Sequence, residues 1–316
     1  MKKLALLLAA LSVASVSYAK EVMPEAAPVV EEAPVVEEVV EVKAAPVLRV
    51  TSVGQQLVVE NKSNANGKGQ EDVGEKVHLK NMVGLALGDS WTFDLMARKT
   101  WKASIDDHLN NDTEGSGMKS NGHRIDLQAT RHFENFSLGL RWRGEQDQDA
   151  IFLPVSYNYG MVSGWFDPAY YFADEGQDYF YLEAEPVVLS YGPVQLAYYF
   201  EGTKYTGDGN GNKAEDTKSD YVHQARLRGT VYSNDTFSVG AEYRYQFAQD
   251  VEMVNGNKDV ENNRHIAVLS AAYNVTENLT VDTYYQYEFN KYEQHEGTAK
   301  DDDYYGEFGL GWSYNF

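Results

Sequence analysis

Residues 237–247 read Phe-Ser-Val-Gly-Ala-Glu-Tyr-Arg-Tyr-Gln-Phe. Every second position (Phe237, Val239, Ala241, Tyr243, Tyr245, Phe247) is apolar or aromatic. The intervening ones (Ser238, Gly240, Glu242, Arg244, Gln246) are small, polar or charged. Successive side chains of a strand point to opposite faces, so this stretch is a strand with one apolar and one hydrophilic side. Residues 279–290 repeat the pattern, with Leu279, Val281, Thr283, Tyr285, Tyr287 and Phe289 set against Thr280, Asp282, Tyr284, Gln286, Glu288 and Asn290. Closer to the amino terminus, Phe136, Leu138, Leu140 and Trp142 oppose Ser137, Gly139, Arg141 and Arg143.

A water-soluble β-sandwich also alternates, so the connections must separate the two architectures. Short turns at Gly88-Asp89-Ser90, Glu134-Asn135, Tyr191-Gly192-Pro193, Ser233-Asn234-Asp235 and Thr276-Glu277-Asn278 alternate with longer polar stretches around 63–75, 105–121, 206–219, 250–262 and 293–303. Tight turns on one rim and long loops on the other are the signature of an all-β, transmembrane, antiparallel up-and-down barrel. Fourteen segments are predicted, at 47–61, 76–88, 91–104, 122–133, 136–145, 150–160, 164–173, 177–190, 194–206, 219–232, 236–248, 263–275, 279–292 and 303–316. The even number returns the chain to the rim where it started, so all long loops share one side. Twelve strands are the alternative, because Pro154, Pro168 and Pro186 fall in the sixth to eighth segments, where Trp165 to Phe172 does not alternate cleanly and each proline lacks a ladder donor.

Composition agrees with a barrel. Mean hydropathy is −0.50, yet the chain holds 23 Tyr, 13 Phe and 5 Trp, with 26 Gly, 8 Pro and no Cys. A barrel that hides apolar groups in alternate positions keeps a low average hydropathy while gathering aromatics at the membrane interfaces. The missing cysteine excludes a disulfide scaffold and thiol chemistry. At the start, Lys2 and Lys3 precede an apolar run from Leu4 to about Ala14, with Ser17 and Ala19 at small-residue cleavage positions. This predicts a secretory signal peptide over residues 1–19, too short to be a helical span. Residues 20–46 form a predicted periplasmic linker with four prolines and seven glutamates, in which Ala-Pro-Val-Val-Glu-Glu occurs at 27–32 and again at 33–38. The barrel domain is placed at 47–316. A net charge of −21 makes nucleic acid an unsuitable partner.

On the hydrophilic faces the third to fifth segments collect Arg98, Lys102, Arg124, Arg141 and Arg143, and the tenth and eleventh supply Arg226, Arg228 and Arg244. About half a turn of a fourteen-strand ring separates the two groups. As a pair of basic tracks they would attract anions, because low-dielectric walls focus the field into the water column. The same faces carry Asp94, Asp126, Glu183, Glu201, Glu242, Asp282, Glu288 and Glu307, and the opposing reading is that these acids pair with the arginines and leave a weakly selective lumen. Runs such as Glu145 to Asp149, Asp174-Glu175 and Asp301-Asp302-Asp303 are assigned to the outer rim. Asp208-Gly-Asn-Gly-Asn212 spaces oxygens as a calcium loop begins, but Lys213 stands where the turn glycine belongs, so neither a metal nor another cofactor is expected. His78, His108, His123, His132, His223, His265 and His295 are scattered, and no catalytic motif accompanies them, so no enzymatic activity is expected. Phe308, Leu310, Trp312, Tyr314 and Phe316 share one face of the last segment, which looks like the signal read by the bacterial barrel-assembly machinery.

Met1 to Leu8 (Met-Lys-Lys-Leu-Ala-Leu-Leu-Leu), the stretch Lys20-Glu-Val-Met-Pro24 and the Pro/Val/Glu-rich segment after it resemble the fusobacterial outer-membrane proteins, including their major porin. The facing basic tracks also resemble those of the acidic-oligosaccharide porins, a smaller family of twelve-stranded barrels. The first resemblance implies the cell outer membrane as location, lipid and lipopolysaccharide as surroundings, and a passive channel for ions and small hydrophilic solutes. A homotrimer and a monomer both remain open. An anion-selective porin and a surface adhesin using acidic loops are the rival expectations.

Overall fold

The computed structural model describes residues 47–63, 71–103, 118–174, 176–207, 216–258, 261–293 and 302–316. The predicted signal peptide and linker, the calcium-like stretch at 208–212, His108 and His295 lie outside the described residues. Among those described, the regular structure is all strand: β1 (Leu48–Ser63), β2 (Glu71–Leu87), β3 (Trp91–Lys102), β4 (Lys119–His132), β5 (Phe136–Glu145), β6 (Gln148–Phe152), β7 (Val155–Tyr159), β8 (Val162–Ala173), β9 (Tyr179–Tyr191), β10 (Val194–Tyr205), β11 (Thr217–Ser233), β12 (Phe237–Met253), β13 (Glu261–Asn274), β14 (Leu279–Glu293) and β15 (Asp303–Asn315).

Each strand pairs antiparallel with its neighbours, and β1 closes the ring against β15 in an unbroken register from Ser52 opposite Asn315 to Lys62 opposite Tyr305. The result is a closed fourteen-strand barrel, because β6 and β7 are two halves of a single strand. Arg141 opposes Phe152 and Leu138 opposes Val155 in one continuous register along β5, with no slip across the interruption. Pro154 makes the break: it lacks the N–H that would reach β5, while its carbonyl still accepts from Gly139 N at 2.7 Å. Pro168 likewise keeps only its acceptor role, taking a bond from Leu153 N at 2.9 Å. The twelve-strand alternative is thereby excluded, since prolines interrupt one ladder bond without ending the strand.

Pro186 is accommodated differently. Trp165 opposes Glu185 but Ser163 opposes Val188, so β9 carries extra chain against β8, and the register with β10 slips at the same place. This bulge sets Pro186 where no ladder donor is required. Gly164 faces it so closely that a Cβ there would lie 2.7 Å from Pro186 O and 2.8 Å from Glu185 O.

The turns at 88–90, 133–135, 160–161, 192–193, 234–236 and 275–278 gather at one rim, as expected from their shortness. Gly88 and Gly192 adopt φ of 58° and 57°, the left-handed conformation that tight turns between strands demand. One outer connection differs from expectation. Only Gln146 and Asp147 form the loop between β5 and β6, while Glu145, Gln148 and Asp149 belong to the strands. At the same rim the Asp250 carboxylate bonds the exposed Lys258 ammonium and raises its pKa above the ordinary lysine value.

A Cβ at residue 164 meets the Pro186 and Glu185 carbonyls as well as the Tyr157 ring, so backbone must move along with a side chain. G164A is expected to destabilise the barrel by about 1–3 kcal/mol, the usual scale of overpacking, read as a lower urea midpoint for the refolded protein.

Candidate functional site: the charged interior of the barrel

Ladder register and exposure together assign every side chain to a face. Leu57, Leu95, Ile125, Leu138, Leu196, Leu227, Leu269 and Leu310 are exposed, and all lie on the outward face. Their strand neighbours in sequence point inward. All predicted interior residues obey this parity: Arg98, Lys102, Arg124, Arg141, Arg143, Arg226, Arg228 and Arg244, together with Asp94, Asp126, Glu183, Glu201, Glu242, Asp282, Glu288 and Glu307. The aromatic and leucine face of β15 (Phe308, Leu310, Trp312, Tyr314) points outward and is exposed, and Phe316 follows it.

The parity also brings in residues that the sequence pattern alone did not single out. Glu60, His78, Lys80, Asp167, Glu185 and Arg264 face the interior, and Glu145 joins them from the end of β5. The signal for them is the same period of two. Asp167 is hidden because Trp165 to Phe172 is aromatic on both faces: Trp165 and Tyr171 point in, Phe166, Tyr170 and Phe172 point out, while Glu185 stands at the bulge beside Pro186, where the alternation of β9 shifts.

The interior arginines are engaged. Arg143 Nε lies 3.1 Å from Asp126 Oδ1, and its Nη1 donates to the Tyr171 hydroxyl at 2.8 Å; Arg124 forks onto the same carboxylate. Arg141 pairs with Asp167, spanning the β6/β7 strand between them. Arg141 and Arg143 both lie over the Phe152 ring, at 4.0 and 4.4 Å from its centre, and Phe152 is only 1% exposed. On β9, Glu185, 1% exposed, reaches over β10 to β11. It accepts from Arg228 Nη2 at 2.7 Å, Arg228 Nη1 at 3.0 Å and Arg226 Nη1 at 3.1 Å. Arg244 pairs with Glu242 at 2.9 Å, and Arg264 with Glu288 at 3.2 Å. Arg98 is the loosest: its nearest carboxylate oxygen, on Glu145, is 3.7 Å away, and its Nε has no partner among the described residues.

Tyrosine hydroxyls, rather than arginines, hold a second set of acids. Tyr199 donates to Glu183 at 3.0 Å and to Glu201 at 2.8 Å, and Tyr181 contacts both at 3.2 Å. Glu307 accepts from Tyr305 at 3.0 Å and from Tyr284. A neutral donor fixes a carboxylate in place without cancelling its charge. Two hollows open against the interior wall. One, of about 410 Å³, is lined by Gln195, Arg228, Thr230, Gly240, Glu242 and Ser270. The other, of about 290 Å³, is lined by Arg98, Thr100, Ser120, His123, Glu145 and Gln148.

No family model matches the chain, and no curated protein matches it in sequence. Among solved structures it is similar to the anion-selective porin of Comamonas acidovorans, at 13% identity over 85% of this chain and 100% of that one, with a TM-score of 0.45. It is also similar to OmpT, an outer membrane protein of Vibrio cholerae (12%, 87% and 100%, TM-score 0.46), and to OccD3 of Pseudomonas aeruginosa (10%, 85% and 91%, TM-score 0.45). At TM-scores below 0.5 these likenesses carry no weight for function, and the barrel stands on its own strand pairing.

Removing the buried carboxylate that holds Arg226 and Arg228 leaves two guanidinium groups without a counter-charge. E185A is expected to cost about 3–5 kcal/mol, the scale for breaking a buried pair from one side, measured as the shift of the tryptophan-fluorescence unfolding midpoint in urea.

Proposed function

We propose that this protein is an outer-membrane porin, a passive diffusion channel for ions and small hydrophilic solutes. The observation that carries the reading is the inside-out division of side chains in a closed ring. Leucines and aromatic residues cover the outside, where water would make them an aggregation surface, and ionised groups line the inside. A barrel closed on itself is one of the two structures that satisfy all backbone groups within lipid. Strands of 12 to 17 residues such as β1, β2, β3, β11 and β12 exceed the 9–11 residues or so that a tilted strand needs to cross the hydrocarbon layer, which leaves their ends to the headgroups and the water beyond. The same reading assigns lipid and lipopolysaccharide as surroundings, and gives the outward face of Phe308, Leu310, Trp312, Tyr314 and Phe316 to the barrel-assembly machinery.

A dedicated anion or acidic-sugar track is not the better reading. Most interior arginines are engaged by carboxylates, and among the described residues the inward carboxylates and the inward arginines and lysines are nearly equal in number. A weakly selective lumen follows from that near-balance.

The refolded mature protein is expected to give stable ohmic conductance steps in a planar bilayer. Under a potassium chloride gradient its reversal potential should lie close to zero, far from both the potassium and the chloride limits. Absence of conductance from a demonstrably folded barrel would remove the channel reading, and a chloride-side reversal potential would restore the anion track.

A further inference from the structure

The interior charges are sorted by strand. From β2 to β5 the wall carries Lys80, Arg98, Lys102, Arg124, Arg141 and Arg143, in excess of Asp94, Asp126 and Glu145. From β8 to β10 the inward charges among the described residues are all acids: Asp167, Glu183, Glu185 and Glu201. From β11 to β13 Arg226, Arg228, Arg244 and Arg264 exceed Asp220 and Glu242, and from β14 through β15 to β1 Asp282, Glu288, Asp303, Glu307 and Glu60 exceed Arg49. The ring therefore alternates basic, acidic, basic, acidic, with like sectors facing each other.

Two features show that the sorting is built in. First, like charges stand directly opposite one another on neighbouring strands in all four sectors. The rows are Lys80–Arg98–Arg124, Asp167–Glu183–Glu201, Arg226–Arg244 and Glu307–Glu60. Such neighbours destabilise a sheet, and exchanging one member of a row for its opposite would relieve the strain. Second, each boundary between sectors is closed by a pair across it: Arg141 with Asp167, Glu185 with Arg226 and Arg228, Arg264 with Glu288, and Glu60 with His78 at 2.5 Å. Charge is cancelled at the three arginine seams and offset in part within the basic sectors, where Asp126, Glu145 and Glu242 stand beside arginines, so that each sector keeps an excess of one sign.

We infer that the lumen conducts cations and anions along separate walls, cations past the two acidic sectors and anions past the two basic ones. The inference rests on the channel reading and says how that channel treats its ions. Three strands span about 14 Å at the ordinary interstrand spacing, while the screening length at 0.1 M salt is about 10 Å. An ion near one wall thus meets that sector's field and is screened from the opposite sign. At about 0.01 M, where the screening length is about 30 Å, the sectors merge into one averaged potential.

The test uses the full chain in planar bilayers with potassium chloride near 0.1 M, comparing wild type, K80Q/R98Q, E183Q/E201Q and the quadruple variant. K80Q/R98Q should lower the chloride-to-potassium permeability ratio about twofold and E183Q/E201Q should raise it by a similar factor, on the scale of a few like charges in a narrow lumen. The quadruple variant removes two positive and two negative charges, so its net lumen charge equals that of wild type. Separate walls predict a lower conductance for both ions with the reversal potential back at the wild-type value, and a difference that vanishes near 0.01 M. A quadruple variant that conducts like wild type at 0.1 M would show a lumen governed by net charge and overturn the inference, while the channel reading would stand. Because like-charge repulsion is relieved, the variants should fold at least as well as wild type. Should one not fold, acidifying the bath of the wild-type channel decides the matter. Separate walls predict a fall in potassium current with chloride current unchanged, whereas a rise in chloride current marks a single averaged field. A wild-type barrel that is folded and silent would remove the channel reading and this inference together.

Discussion

Closure of the hydrogen-bonded ladder is the constraint on which everything else depends. An unpaired backbone amide or carbonyl away from water costs free energy, and a strand left as an edge presents a whole row of them. The pairing of β1 with β15 meets that demand by joining the first strand to the last, and once it is made, the interior is a compartment separate from the outside. Inward and outward then become fixed chemical environments. The period of two in each strand delivers carboxylates, arginines and tyrosine hydroxyls to one and leucines and aromatic rings to the other.

The irregular arc from β5 to β10 shows how the ladder absorbs residues that do not suit it. Pro154 and Pro168 each lose one donor and keep an acceptor, so the strands run on with their faces unchanged. Pro186 sits in a bulge, opposite a glycine with no side chain to collide with it. The bulge also sets Glu185 apart from the regular row of acids and lets it reach over β10 to two arginines. In this arc Phe152, Tyr171 and Tyr181 pack against the wall, with rings in edge contact at 5.6 and 5.9 Å, so the interior here is a built surface rather than a bare sheet.

Electrostatics inside the ring balances two demands. Charges must be held in place, which costs side-chain entropy that their partners have to offset, and yet a lumen in which each charge met its opposite would present no field at all. Arginines are held by carboxylates and stacked rings, as Arg226 is by Glu185 and by the Tyr199 ring 3.4 Å below it. Carboxylates in the acidic sectors are held by tyrosines, which position them and leave their charge in place.

The fold is legible in the sequence because a closed barrel with two unlike faces imposes a local rule. Alternation such as that of residues 237–247 is decided by neighbouring residues alone, and turn length is read directly, so the fourteen strands, their faces and the interior location of Arg98, Arg143, Arg226 and Glu307 are all within reach. The local rule decides nothing where both faces are aromatic, from Trp165 to Phe172, and there Asp167 escapes it. Which charge meets which is not legible at all. The partner of an interior residue is set by register, and register depends on turns, on the bulge at Glu185-Pro186 and on closure between residues more than 250 positions apart, such as Gln55 and Trp312. That this chain forms a ring with a polar inside follows from the order of its residues. How the charges on that inside are sorted follows from the assembled barrel, because sorting is a property of the circumference and no single strand contains it.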